Sequence, residues 1–206
     1  LHETQFLSES LSEKVRRIRQ VMKDEAADVH IISTLDDIAW LTNLRGQDVT
    51  YNPVFLAFIM ITPSSVTLFI DEEKLTPEVK KYLTEHKVTV FPYDAFYDEL
   101  GNIPADKIVM LDEKRTTYAA LEAIDEECEI LYLPNPSTLF KAQKSDNDLS
   151  HIQEAMIEDG VAMAHFYTQF EAKLANGERL TELDVADGLA AADKGKADLA
   201  QAQARI

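Results

Sequence analysis

The chain has 206 residues, 46% of them hydrophobic, enough for a packed core in one domain and part of another, or in two small domains. Its formal charge is −17, from 20 Lys and Arg against 37 Asp and Glu. Such a surface repels phosphate backbones and anionic membranes, so neither nucleic acid nor membrane is an expected partner, and the excess acid reads first as solubility.

The chain opens Leu1-His2, without an initiator Met and without a basic segment followed by an apolar one. The expectation is a piece of a longer protein with no signal peptide. Ser10 can cap a helix in which Leu11, Val15, Ile18 and Met22 recur at helical spacing. Val29 to Ile32 reads as a short buried strand, and Thr34 with Asp37 as a capping pair for a helix carrying Ile38 and Leu41. Val54 to Ile61 and Val66 to Ile70 read as a hairpin around the turn chemistry of residues 62–65. The first of these runs is the longest apolar one and is too short to span a bilayer. Thr76-Pro77-Glu78 starts a helix to about His86. Strands follow at Val88 to Phe91, Lys107 to Leu111 and Cys128 to Leu133, with helices at Ala95 to Leu100 and Thr116 to Ala123. This alternation with one hairpin predicts an α/β domain with a mixed sheet and flanking helices.

Pro134-Asn135-Pro136 then punctuates the chain, and no strand pattern returns. Asn147 to Leu174 reads as one long helix stopped by Asn176-Gly177, and Thr181 starts another. The predicted division is therefore residues 1–140 and residues 141–206. The last stretch, Ala190 to Ile206, is alanine-rich.

Candidate chemistry is sparse. His151, Glu154, Glu158 and His165 share a stripe of the long helix and could in principle hold a metal. The apolar set Ile152, Met156, Met163, Phe166, Phe170 and Leu174 lies on a different face, so the His/Glu stripe reads as solvated. Asp36-Asp37 reads as acid in a helix first turn rather than as a catalytic pair. Cys128, the only cysteine, excludes an internal disulfide, suits a reducing compartment and reads as an inert thiol between Glu127 and Glu129. The polar loop after Trp40 offers Arg45, Asp48 and Asn52 as a substrate or domain-interface loop. Arg45 either aims a guanidinium at a carboxylate on a ligand or neighbour, or holds its own loop through Asp48. Trp40 with Leu41 and Leu44 reads as core.

The run Leu35-Asp36-Asp37-Ile38-Ala39-Trp40-Leu41-Thr42-Asn43-Leu44-Arg45-Gly46-Gln47-Asp48, followed by Asn52-Pro53-Val54-Phe55, closely resembles the second domain of three-domain Xaa-Pro aminopeptidases. Leu68-Phe69-Ile70-Asp71 resembles the family's hairpin. His151-Ile152 and Asp159-Gly160-Val161-Ala162-Met163 resemble the helix that opens its catalytic domain, and Leu180-Thr181-Glu182-Leu183 resembles the start of the next. The resemblance implies a creatinase/prolidase N-terminal-like domain followed by the first helices of a "pita-bread" catalytic domain. It also implies a cytoplasmic, homodimeric parent that removes the residue before a proline in peptides. There, two manganese or zinc ions held by two Asp, one His and two Glu activate a water. Those ligands lie, in the family, beyond the helix that begins near Thr181. No catalytic or metal role therefore passes to any residue here, no cofactor is expected on this chain, and the chain alone is expected to be inactive. Two alternatives remain: a non-enzymatic, chaperone-like binding protein on the same architecture, or another hydrolase of the superfamily such as a prolidase or creatinase.

Overall fold

The computed structural model describes residues 1–2 and 4–192. They form two compact units, the first comprising Leu1–His2, Glu9–Asp48 and Val54–Gln143, and the second residues 4–8, Val49–Pro53 and residues 144–192.

The first unit is built on a six-stranded mixed sheet. Its strands are β1 (Val29–Ile32), β2 (Ala57–Ile61), β3 (Val66–Ile70), β4 (Val88–Phe91), β5 (Ile108–Leu111) and β6 (Glu129–Tyr132), in the order β4-β3-β2-β1-β5-β6. The hairpin β2-β3 and the pair β1-β2 are antiparallel, whereas β3-β4, β1-β5 and β5-β6 are parallel. Central strands are apolar on both faces because helices cover both. On one face, α1 (Leu11–Asp24), α2 (Leu35–Thr42) and α3 (Pro77–Glu85) pack on Ile32, Ile59, Ile61 and Leu68. On the other, α4 (Phe96–Gly101) and α5 (Tyr118–Ala123) pack on Ile31, Phe58, Phe69 and Val109.

Local chemistry accounts for the helix starts. Ser10 and Glu13 form a reciprocal capping box on α1, whose Leu11, Val15, Ile18 and Met22 are all buried. Thr76 caps α3 with Pro77 at its first position. Arg19 of α1 donates to the carbonyls of Thr62 (2.9 Å) and Ser65 (3.0 Å), tying the helix to the hairpin turn.

Three local expectations change. Thr34 makes no side-chain cap to α2; its hydroxyl donates instead to Asp37 Oδ2 (2.6 Å). Val54 to Leu56 lie outside β2, because Asp48 N donates to Val54 O (3.2 Å) and Leu56 N to Asp48 Oδ2 (2.7 Å), committing that backbone to the loop. After Pro134 the chain forms a further helix, α6 (Pro136–Ala142), with proline at its first position and Phe140 packed against the first core.

The second unit contains α7 (Asp146–Ala175), opened by a Ser145/Asp148 capping box, and α8 (Glu182–Ala192). Gly177 follows α7 at φ +77°, a conformation in which a side chain is strained. Gly188 of α8 lies so close to the buried Phe166 that an added Cβ would sit 3.3 Å from its ring. Met156 and Leu174 are exposed, although their spacing placed them in the apolar stripe of the helix. Most of the alanine-rich stretch, 193–206, lies outside the described residues. Among the described residues no helix is long and apolar enough to cross a membrane.

Candidate functional site

The loop that follows Trp40 is built from the C-terminus of α2. Asn43 adopts the left-handed conformation (φ 57°) that ends the helix, and its amide donates to Trp40 O. A helix ends with unpaired carbonyls. Two basic side chains meet them here. The buried Lys14 donates to Trp40 O (2.7 Å) and Asn43 Oδ1 (2.5 Å), and its ammonium stands 4.5 Å from the centre of the Trp40 ring. Arg45 donates through Nη1 to Ala39 O and Leu44 O, both at 3.0 Å. Burial lowers the Arg45 pKa from its ordinary value. Cations at a helix C-terminus also complement its dipole.

Beyond Arg45 the chain needs glycine. A Cβ on Gly46 would lie 2.6 Å from Phe55 Cβ and 2.9 Å from Val54 O. Asp48 then accepts from Lys74 Nζ (2.6 Å) and from the Leu56 amide. The Lys74 hydrogen bond, followed by the Leu56 amide, holds its carboxyl below the usual carboxylate range. Arg45 thus holds the loop through carbonyls, and the partner of Asp48 is Lys74. Asn52 belongs to the second unit. Its amide donates to Val49 O (3.1 Å) across a turn in which Tyr51 takes φ 62° and is 62% exposed.

A second constellation surrounds the start of α2. Asp37 is fully buried and accepts at Oδ2 from Thr34 (2.6 Å), Thr138 (2.8 Å) and Asn135 Nδ2 (3.4 Å). Lys141 Nζ stands 3.0 Å from Asp37 Oδ1 as a charge contact and also pairs with Asp36. Burial would raise the Asp36 carboxyl, but the hydrogen bond and charge of Lys141 prevail and leave it lowered. Asn135 N in turn donates to Asp112 Oδ2 (3.2 Å) at the end of β5. Beside this network His30, fully buried on β1, donates from Nδ1 to Met110 O (3.0 Å), while Nε2 has no hydrogen-bond partner. Burial pushes the His30 pKa down to about 4, against the Met110 carbonyl and the charges of Asp37 and Asp112. The imidazole is therefore neutral at physiological pH. Sequence reasoning placed Asp37 in a helix first turn but missed the network, because its partners lie about a hundred residues away.

The remaining candidates stay apart. His151 contacts Glu154 (3.4 Å) and Gln5 O (3.3 Å) and meets the Phe6 ring edge-on, while Glu158 and His165 are exposed. Among the described residues no three His, Cys, Asp or Glu side chains converge as a metal site. The buried Cys128 donates to Pro104 O (3.4 Å), and burial raises its thiol pKa.

Residues 1–148 match the family described as creatinase/prolidase N-terminal domain. The chain belongs to that family. The probable Xaa-Pro aminopeptidase P of Leptosphaeria maculans is 33% identical over 200 residues, covering 92% of this chain and 33% of that protein. The X-prolyl aminopeptidase structure from Caenorhabditis elegans, described as a cytosolic enzyme with a di-nuclear active site, superposes with a TM-score of 0.84. Its identity is 26%, covering 93% of this chain and 32% of the other. The N-terminal domain of FACT complex subunit SPT16 from chickpea reaches a TM-score of 0.61 at 13% identity, over 90% or less of either chain (88% and 49%), which shows a shared fold alone. The chain spans about a third of the length of the curated relatives it matches. Within this creatinase/prolidase N-terminal domain, Trp40, Asn43, Arg45 and Gly46 build a helix end and a close loop-to-strand approach.

Proposed function

We propose that this chain is part of a metallo-aminopeptidase that removes the N-terminal residue from peptides with proline in second position. The observation that carries this reading is the likeness over nearly the whole chain to Xaa-Pro aminopeptidases, in sequence at 33% identity and in structure at a TM-score of 0.84. In this reading residues 1–140 are a non-catalytic middle domain and residues 141–206 open the catalytic domain. The whole protein is a cytoplasmic homodimer using two manganese or zinc ions. The described residues do not fit a metal role, so no step of the hydrolysis is assigned to them. The 206-residue chain with added manganese should release no N-terminal residue from an Xaa-Pro peptide, while the whole protein should. Release by the short chain, or none by the whole protein, would overturn the reading.

The loop of Arg45, Asp48 and Asn52 is proposed as an interface element that shapes access to the catalytic cleft. Its support is the build of the loop: Arg45 and Asp48 spend their hydrogen bonds rigidifying it, and Tyr51 and Asn52 are presented to solvent. Arg45→Ala in the whole protein should change peptide-length preference or assembly. Unchanged kinetics together with unchanged oligomer size would remove this role.

A further inference from the structure

Parallel strand pairs of the first unit diverge at their carboxyl ends, β1/β5 and β3/β4 among them. After β1 the chain enters α2 on one face of the sheet, and after β5 it enters α5 on the other. After β3 it enters α3 on the first face, and after β4 it enters α4 on the second. Divergence of this kind leaves a crevice outside the strand ends, the place where open α/β sheets bind ligands. The two crevices differ. At β1/β5, Asp112, Asn135, Thr34 and Asp37 hydrogen-bond into one another. At β3/β4 there is a cavity of about 480 Å³, reached by Asp71 after β3 and by Pro92 after β4.

The lining of that cavity combines an apolar wall with charged side chains. Its apolar wall is Leu56, 45% exposed, and the ring of Tyr93. Tyr93 stacks on Phe58 at 5.1 Å, and Phe58 stacks on the fully buried Phe96 at 3.9 Å, so the wall has a fixed backing. The remaining lining residues are Pro92 and the charged Asp71, Glu72, Asp94 and Lys74. The one cation among them, Lys74, is paired with Asp48 at 2.6 Å, and Glu72 lies 3.4 Å from Lys80. Among the described residues neither Asp71 nor Asp94 has an ion-pair partner. A cavity with two carboxylates outside any ion pair beside an aromatic ring suits a cation with a flat face and an apolar stem. A guanidinium satisfies both features, stacking on the ring while its fork of donors meets carboxylates.

We propose that the β3/β4 crevice binds the arginine side chain of a peptide segment, its stem against Leu56 and Tyr93 and its guanidinium toward Asp71 and Asp94. This assignment does not depend on the aminopeptidase reading. The test is titration of the isotope-labelled 206-residue chain, observed by NMR, with the peptide acetyl-Ala-Arg-Ala-amide. Shifts should concentrate on Leu56, Glu72 and Tyr93. The citrulline counterpart, of equal shape without the charge, should bind at least about tenfold more weakly. Asp71→Asn with Asp94→Asn should lose a similar factor. Asparagine keeps the side-chain oxygen that accepts from the Glu73 amide, so the turn after β3 survives. The exposed Glu126→Gln, which removes a charge elsewhere, should bind like the parent chain. Equal binding of the citrulline peptide, no shifts at these residues, or an equal loss in Glu126→Gln would overturn the proposal. So would free guanidinium binding as tightly as the peptide, since recognition would then rest on the ion alone.

Discussion

Gly46 shows how tightly the loop after α2 is set. Its Cα faces Phe55 Cβ and Val54 O at distances that leave no room for a methyl group. Neither obstacle is the far end of a long side chain, so the loop or β2's approach must shift. Gly46→Ala should lower unfolding stability by about 1–3 kcal/mol, read from the urea midpoint at unchanged slope. An unchanged midpoint would mean the loop relaxes freely. His30 sets a different expectation, one of pH. Its folded pKa of about 4 lies below the unfolded value of 6.5. Between those values the unfolded chain takes up a proton that the native chain refuses, so stability falls as pH falls. The stabilisation is present in full above pH 6.5 and is lost progressively toward pH 4. By pH 5 the loss should reach about 2 kcal/mol. His30→Gln should flatten the slope of stability between pH 5 and 6.5; an unchanged slope would show that His30 is not the group that titrates.

At the scale of elements, α6 is held by charge as much as by apolar contact. Phe140 lies under the Arg17 guanidinium at 4.0 Å, and Lys141 reaches the buried Asp37. Removing one partner of a buried pair leaves the other uncompensated. Lys141→Met should therefore cost about 3–5 kcal/mol, and adding Asp37→Asn should recover part of that loss. A double-mutant cycle with no coupling would show that Thr34, Thr138 and Asn135 suffice for Asp37. This helix also marks what was legible in the amino-acid sequence. The helices α1 and α3 were readable because Ser10, Glu13, Thr76 and Pro77 act within one turn. The strand β3 was readable because its apolar run begins where the turn residues 62–65 end. In contrast, α6 is seven residues behind a Pro-Asn-Pro punctuation, and what holds it lies on α1 and α2. The apolar run from Val54 read as strand throughout, yet a single carboxylate, Asp48, diverts its first residues. The motif around Trp40 named a family at once, but the reason for its residues, two basic side chains converging on one helix end, needed Lys14 from another helix.

For the whole molecule, function and fold separate. The creatinase/prolidase N-terminal domain supplies a sheet covered on both faces and a rigid loop, while the described residues assemble no metal-binding group. In the proposed aminopeptidase, such a scaffold would contribute by position rather than by chemistry. That is why the inactivity expected of the isolated chain is a test of the reading and not merely a negative result.

The order of strands in the sheet has a consequence for how the chain is made. β1 lies near the middle of the sheet, yet its parallel neighbour β5 follows it by about eighty residues, as the pairing of Val29 with Val109 shows. During synthesis, β1 to β4 emerge first and can pair among themselves, leaving one side of β1 as an unpaired apolar edge. At about 5–20 residues per second that edge waits several seconds for its partner. The central strand of the finished sheet is thus, for a time, the border of the nascent one, where a chaperone has most reason to bind.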